Sequence, residues 1–326
     1  MRPFEFIKPT SFNQAMSQKN DAAQFIAGGT NLLDLMKKHI AAPETVLDVT
    51  AVLPATVQTT LTGISIGAMA RNSEVSIHDA VLAKFPLVAK AILAGASPQI
   101  RNMASTSGNM LQRTRCPYFY DVALPCNKRK PGSGCSALHG NQRMSAIVGW
   151  SEECVAVHPS DFCIALAALD ASVVVVDKQQ KKTSIAFKDF HRLPGTTPQR
   201  DNNLPANAII HSVEIPNNAF NKHFAYVKLR DRDSYAFALV SVAAALHLEG
   251  NKILGARLAS GGVAHKPWRW YAAEQYLKGK DATAAHFSEA ASIIIKETKP
   301  LANNGFKQSM LRGAVELALQ NCLTNK

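Results

Sequence analysis

Cys116, Cys126, Cys135, Cys154 and Cys163, five of the chain's six cysteines, fall within one stretch of 48 residues. The stretch opens CPYFYDVALPCNKRKPGSGCSALHG, a segment rich in Gly, Pro and basic residues with no apolar periodicity. Such a segment buries too little apolar surface to offset the entropy of ordering it. Something other than a hydrophobic core must pin it, and clustered thiols point to a metal centre. Nine, eight and eighteen residues separate the first four cysteines in turn, and no CxxC pair occurs. Zinc knuckles and ribbons bring paired cysteines close together, and the bacterial ferredoxin run is also missing. Spacing alone therefore leaves three readings: an iron–sulfur cluster, a zinc site, or a structural or disulfide role.

The chain's 326 residues exceed what one compact core holds and predict two or three domains. A hydrophobic content of 47% and a mean hydropathy of -0.05 fit globular cores rather than disorder. A net charge of +12 raises nucleic acid, an anionic cofactor or an acidic partner. The basic residues are scattered, however, with one modest concentration at Lys128, Arg129 and Lys130 and no recognised nucleic-acid module. MRPFEFIKPTSF has neither an apolar h-region nor a cleavage site, so no signal peptide is expected. The longest apolar run, residues 164–176, is broken by Asp170 and falls short of the roughly 20 residues that span a bilayer.

Periodicity predicts a small β-α-β-α-β unit ending near Leu53-Pro54, a strand over 60–68 and a helix over 77–96. A helix follows from Ser160, then strands over 172–176 and 209–215, separated by a polar loop around 194–205. The PNN turn after Ile215 predicts the main domain boundary. Three strands follow, over 224–229, 237–248 and 252–260, the second partly helical, and helices close the chain.

In AGGTNLLDLMKK, Gly28 and Gly29 lie between a strand and a helix, where positive φ and close backbone approach favour glycine. Free N–H groups from Ala27 to Asn31 would suit a phosphate or pyrophosphate. The plainer alternative is a turn in which Thr30 caps the helix. The GxGxxG fingerprint and the P-loop Lys are both missing. A second turn, STSGNM, offers Ser105, Gly108 and Asn109 to a polar ligand, or is a surface turn. His158 reads as a loop residue with a backbone partner, or as a ligand or base.

AGGTNLLDLMK, IRNMASTSGN, HPSDFCIALAALDA, SVEIP and GGVAHKPWR, in that order along nearly the whole chain, resemble one family. It is the FAD-binding subunit of molybdenum hydroxylases, the xanthine dehydrogenase and carbon monoxide dehydrogenase group. The resemblance implies class α+β and a p-cresol methylhydroxylase-type FAD-binding fold of two α/β subdomains. A C-terminal domain of a three-stranded antiparallel sheet with helices would follow. The implied boundaries are 1–217 for the FAD-binding domain, with subdomains about 1–54 and 55–217, and 218–326 for the C-terminal domain.

The cysteine segment, about 113–155, resembles the insert of flavin subunits that also carry a 4Fe–4S cluster, notably those of bacterial periplasmic aldehyde oxidoreductases. That likeness implies Cys116, Cys126, Cys135 and Cys154 as ligands, leaving Cys163 and Cys322 structural. By the same carry-over, Ile26, Ala27, Gly28, Gly29, Thr30, Asn31 and Leu32 cradle the FAD pyrophosphate. Ser105, Gly108 and Asn109 form a second FAD contact, although Ser107 replaces the family's first glycine and needs a non-positive φ. Asp161 would contact the adenosine part, and Ile210 and Lys228 would lie near the flavin ring, where a cation steadies reduced flavin.

The implied activity is electron transfer inside an aldehyde-oxidising molybdenum enzyme. A large subunit would hold the molybdenum cofactor, a small one 2Fe–2S clusters, and an external acceptor would take electrons from FAD here. No catalytic acid or base is expected on this chain. The compartment would be periplasmic, with export already folded on a partner's signal, or cytoplasmic without such a partner. Two other classes stay open: a basic zinc-containing nucleic-acid binder and a standalone flavin oxidase.

Overall fold

A computed structural model describes residues 1–324. Three sheets carry the fold. The first is parallel, in the order β1 (Glu5–Ile7), β3 (Thr45–Asp48), β2 (Ala23–Ile26), with β2 feeding directly into the first glycine turn. The second is antiparallel. Its strands are β4 (Val57–Thr59), β5 (Gly63–Gly67), β6 (Ser172–Asp177), β7 (Lys182–Ala186) and β8 (Ala208–Pro216), ordered β4-β5-β8-β6-β7. The third is an antiparallel meander, β9 (His223–Leu229), β10 (Val240–Glu249) and β11 (Lys252–Gly261), with a two-residue edge strand β12 (Trp268–Arg269) beside β11. The expected three-stranded sheet thus gains a short fourth strand.

The helix expected over 77–96 is two helices, Asp79–Lys84 and Pro86–Ala94, preceded by a third, Asn72–Ile77. His78 takes an extended ψ of 128°, and Pro86 begins its own helix at a position where its missing N–H costs nothing. The strand expected over 60–68 is β5, with residues 60–62 forming the turn that joins it to β4, a strand the sequence reading does not include.

β10 joins the two halves of the molecule. Val242, Ala244 and Leu246 enter the core shared with Phe287, Leu311 and Leu319 of the C-terminal helices. Ala243 and Ala245, on the opposite face, enter the core built on the helix Asp161–Ala168. Successive strand side chains point to opposite faces, so one strand serves both cores. The small face lets that helix, buried at every residue, lie close against the sheet. The alanine run that suggested partial helix is therefore wholly strand.

Candidate cofactor cleft and cysteine cage

Gly28 brings the two glycine turns together. A Cβ there would lie 1.7 Å from the Met103 carbonyl oxygen, so only glycine lets the first turn rest on the backbone leading to the second. Gly29 follows with a φ of 70°. The helix Leu32–Lys37 is capped by Asn31, not Thr30, and the Asn31 side chain makes no capping bond. Its Oδ1 accepts the Arg113 backbone N–H at 2.9 Å, while its Nδ2 is buried without an acceptor. Among the described residues, the backbone N–H groups of Gly28, Gly29, Thr30 and Asn31 find no acceptor either.

In the second turn the Ser105 hydroxyl oxygen accepts the Gly108 N–H at 3.1 Å, closing the start of the helix Thr106–Met110. That bond consumes the backbone donor that Gly108 was expected to offer. Ser107 sits within this helix, its N–H donating to Ala68 O at 2.9 Å, so the exchange for glycine brings no strain.

Around the turns lie two chambers, of about 680 and 740 Å³, that meet at Thr30, Asn31 and Gly108. Residues 26–32, Ser105, Gly108 and Ile210 line the first. Asn109, Asp161 and Lys228 line the second, with Ile92 and Phe237 as apolar walls. All thirteen residues expected to bind cofactor therefore line one or other of these two adjoining chambers.

Lys228 and Asp161, expected at different parts of the cofactor, are neighbours. Its ammonium donates to Asp161 Oδ2 at 2.7 Å and to Ala94 O at 3.0 Å, while Tyr226 Oη donates to Asp161 Oδ1 at 2.7 Å. Tyr226 and Lys228 are two apart on β9 and so share a face. Lys228 thus belongs with Asp161 in the second chamber, away from Ile210, and its charge is already balanced. Asp161 also begins its helix beside the Ser160 cap, whose Oγ accepts the Cys163 N–H at 3.0 Å.

Cys116, Cys126, Cys135 and Cys154 line one small void, and no cysteine is disulfide-bonded. Cys126 and Cys135 face each other across a hairpin. Asn127 fastens it, receiving the Gly134 N–H on Oδ1 at 2.7 Å and donating its own N–H to Gly134 O at 2.7 Å. Gly132 and Gly134, at φ 80° and 95°, make the turn. Cys116 starts the short helix Pro117–Tyr120, which buries Phe119 against Leu35 and Cys126, and the Ala156 N–H points at Cys154 Sγ at 3.5 Å. Burial pushes the Cys116 thiol up to about 11 and Cys154 to about 12, against the pull of backbone N–H groups on the sulfurs. Neighbouring thiolates of the set push the same way. Cys116, Cys135 and Cys154 thus resist ionising alone, which a cation bound among the converging thiols would reverse.

His158 is a core residue. Its Nε2 meets Met110 O at 3.4 Å, its Nδ1 accepts the Ser160 N–H, and its ring packs on His191. Burial and the His191 ring hold its pKa well below the usual histidine range. His158, Cys163 and His191 place ligand atoms within 4.8 Å of one another, a grouping the sequence does not suggest. Both imidazoles are already committed to the Met110 carbonyl, so the trio reads as packing. The cluster of Lys128, Asp201, Arg113 and His265, built on the buried Lys128, is likewise invisible in the sequence, because Asp201 and His265 lie far from the insert that carries Arg113 and Lys128.

Fold and cleft together describe a two-part flavoprotein, and the family comparisons agree. Residues 2–218 match the FAD binding domain in molybdopterin dehydrogenase, and residues 224–322 match the CO dehydrogenase flavoprotein C-terminal domain. The chain belongs to this family, the FAD-binding subunits of molybdenum hydroxylases, and is an oxidoreductase subunit. It is 47% identical over 292 residues to the aldehyde oxidoreductase FAD-binding subunit PaoB of Escherichia coli (strain K12), covering 89% of this chain and 88% of the relative. It is 25% identical to the glyceraldehyde dehydrogenase medium chain of Sulfolobus acidocaldarius, over 91% of this chain and 89% of the relative. Its fold is that of a chain in the carbon monoxide dehydrogenase structure from Hydrogenophaga pseudoflava, with a TM-score of 0.76 at 23% identity over 99% and 98% of the two chains. Among the described residues no helix is long and apolar enough to cross a membrane.

Proposed function

We propose that this chain is the FAD- and 4Fe–4S-carrying electron-transfer subunit of a molybdenum-dependent aldehyde oxidoreductase. The observation that carries the reading is the four-cysteine cage in a chain whose double-turn cleft suits a dinucleotide. The orphaned Asn31 Nδ2 and the four unpaired N–H groups of residues 28–31 supply donors for a pyrophosphate. Asp161 would accept from adenosine-side hydroxyls while Tyr226 and Lys228 hold it in place. Ile210, in the first chamber, would pack against the flavin end. When bound, FAD supplies the ability to take electrons singly and release them as a pair. This chain positions it, excludes water and needs no acid or base of its own.

For the cage, an iron–sulfur cluster is supported over a single zinc ion. Four sulfurs about a zinc at 2.3 Å would stand about 3.8 Å apart. Among the described residues the grouping with ligand atoms within 4.8 Å of one another is His158, Cys163 and His191, not the cage, and the cage cysteines lack the paired CxxC spacing of zinc knuckles and ribbons. The basic residues around it also argue against nucleic acid, since Arg113 and Lys128 are spent on Asp201 and Arg129 on the Tyr118 and Phe119 carbonyls.

The domains would divide at 217/218, with the insert at about 113–155. By likeness to PaoB, the partners would be a large molybdenum-cofactor subunit and a small 2Fe–2S subunit in a heterotrimer that passes electrons to an external acceptor. The compartment would be the periplasm, reached folded on a partner's signal. Metal analysis and visible spectra of the purified assembly test this reading. Cys126→Ala should remove about four irons per assembly and leave the flavin absorption in place. Retention of all the iron, or zinc in its stead, would overturn the cluster assignment.

A further inference from the structure

Lys128 lies in the run Asn127-Lys128-Arg129-Lys130, where a solvated loop would be the ordinary reading, yet its side chain is only 1% exposed. Burying an ammonium is costly unless its N–H groups are met. Here three acceptors meet them: Pro198 O at 2.9 Å, His265 Nε2 at 2.7 Å, and Asp201 Oδ1 in a close ion pair. The His265 tautomer follows from its other nitrogen. Nδ1 lies 2.9 Å from Arg192 O, which can only accept, so Nδ1 carries the proton and Nε2 gives its lone pair to Lys128. Burial, with the Lys128 charge, pushes His265 down to about 4, so the ring is neutral near pH 7.

The second Asp201 oxygen accepts Arg113 Nε at 2.9 Å, and Arg113 Nη2 donates to Lys128 O at 3.3 Å. Two fixed positive charges thus share one carboxylate. Arg113 lines the first chamber of the cleft, and Lys128 lines the void enclosed by the four cysteines. The cluster of charges therefore spans the space between the two candidate cofactor sites. Arg129, next in sequence, is satisfied by the main-chain carbonyls of Tyr118 and Phe119.

We propose that Lys128 is a positioning residue that holds a buried positive charge against the cysteine cage, raising the reduction potential of the cluster bound there, and that Asp201 limits how much of that charge the cage feels. The inference rests on the iron–sulfur reading of the cage. A cluster held by four thiolates is anionic and becomes more so on reduction, so a nearby cation favours the reduced form. Burial keeps salt from screening the effect.

The test is an EPR-monitored redox titration of the purified whole assembly, following the signal that Cys126→Ala removes, with iron counted beforehand. Lys128→Met should shift the midpoint to more negative potential, Asp201→Asn to more positive potential, and Lys128→Arg should stay near wild type. A purely structural role would loosen the cage in both neutralising variants and move them together. Shifts in the same direction, no shift, or iron lost from both variants would overturn the proposal. A wild-type cage without iron would overturn the cluster reading beneath it, and the proposal with it.

Discussion

Gly28 meets the Met103 carbonyl and Lys307 meets two others, and each position makes a prediction of its own. At Gly28 the obstacle to a side chain is backbone, which cannot swing aside as a side chain would. Gly28→Ala should cost at least the roughly 1–3 kcal/mol typical of overpacking and should separate the two turns. A fall in both the melting temperature and the flavin-to-protein ratio is expected; unchanged values would show that the turns do not need this contact. Lys307 is fully buried, donating to Ser145 O at 2.8 Å and Gly262 O at 2.7 Å with no carboxylate beside it. Burial pushes its pKa down to about 7. Between that value and the unperturbed 10.5 the unfolded chain binds a proton that the folded chain lacks, so this residue makes stability rise with pH across that window. Lys307→Met should flatten the rise, as read by denaturant melts from pH 7 to about 10. An identical slope in the variant would show that the lysine keeps its proton when folded.

At the scale of elements, strands β10 and β11 and the helix Asp161–Ala168 depend on small residues for their close approach, Ala243 and Ala245 on β10 and Gly261 at the end of β11. A Cβ on Gly261 would come within 2.9 Å of the Ile164 side chain and 2.6 Å of Ser241 Oγ. Gly261→Ala should therefore destabilise by about 1–3 kcal/mol, and Ile164→Ala should recover part of that loss in the double variant. Strictly additive losses in thermal or denaturant melts would contradict this packing. The same contact shows what a single chain of letters reveals. The βαβαβ unit and the glycine turns were legible because strand alternation and turn chemistry are local. The split of residues 77–96 was not, because the apolar spacing runs on through His78 and Phe85 while the backbone breaks there. β10 was misread in part because Ala243, Ala244 and Ala245 suit a helix until a partner surface demands flatness on both sides. The pairing of Lys228 with Asp161 is not legible in the sequence, because the two lie 67 residues apart. The burial of Lys128 is not legible for a similar reason: its partners Asp201 and His265 lie far downstream, and only the folded chain brings them together.

Across the whole molecule, the insert is a seam between the two halves. Lys128 binds it to the loop at Pro198 and Asp201 and to His265 of the segment after β11, while Asn304 and Lys307 reach back from the C-terminal helical region to the Ser145 carbonyl. A segment with no core of its own is thus held by buried polar contacts from both sides, and the four cysteines converge as a consequence. The cleft lies on the other side of Arg113, so the two candidate cofactor sites are neighbours in one rigid frame. The most direct measurement is X-ray diffraction from crystals of the loaded assembly, with anomalous data collected at the iron and zinc edges. The account predicts iron scattering inside the cage formed by Cys116, Cys126, Cys135 and Cys154, and flavin dinucleotide density running from Ile210 past residues 28–31 to Asp161. Zinc scattering in place of iron, or a cleft empty of flavin in the active assembly, would contradict it.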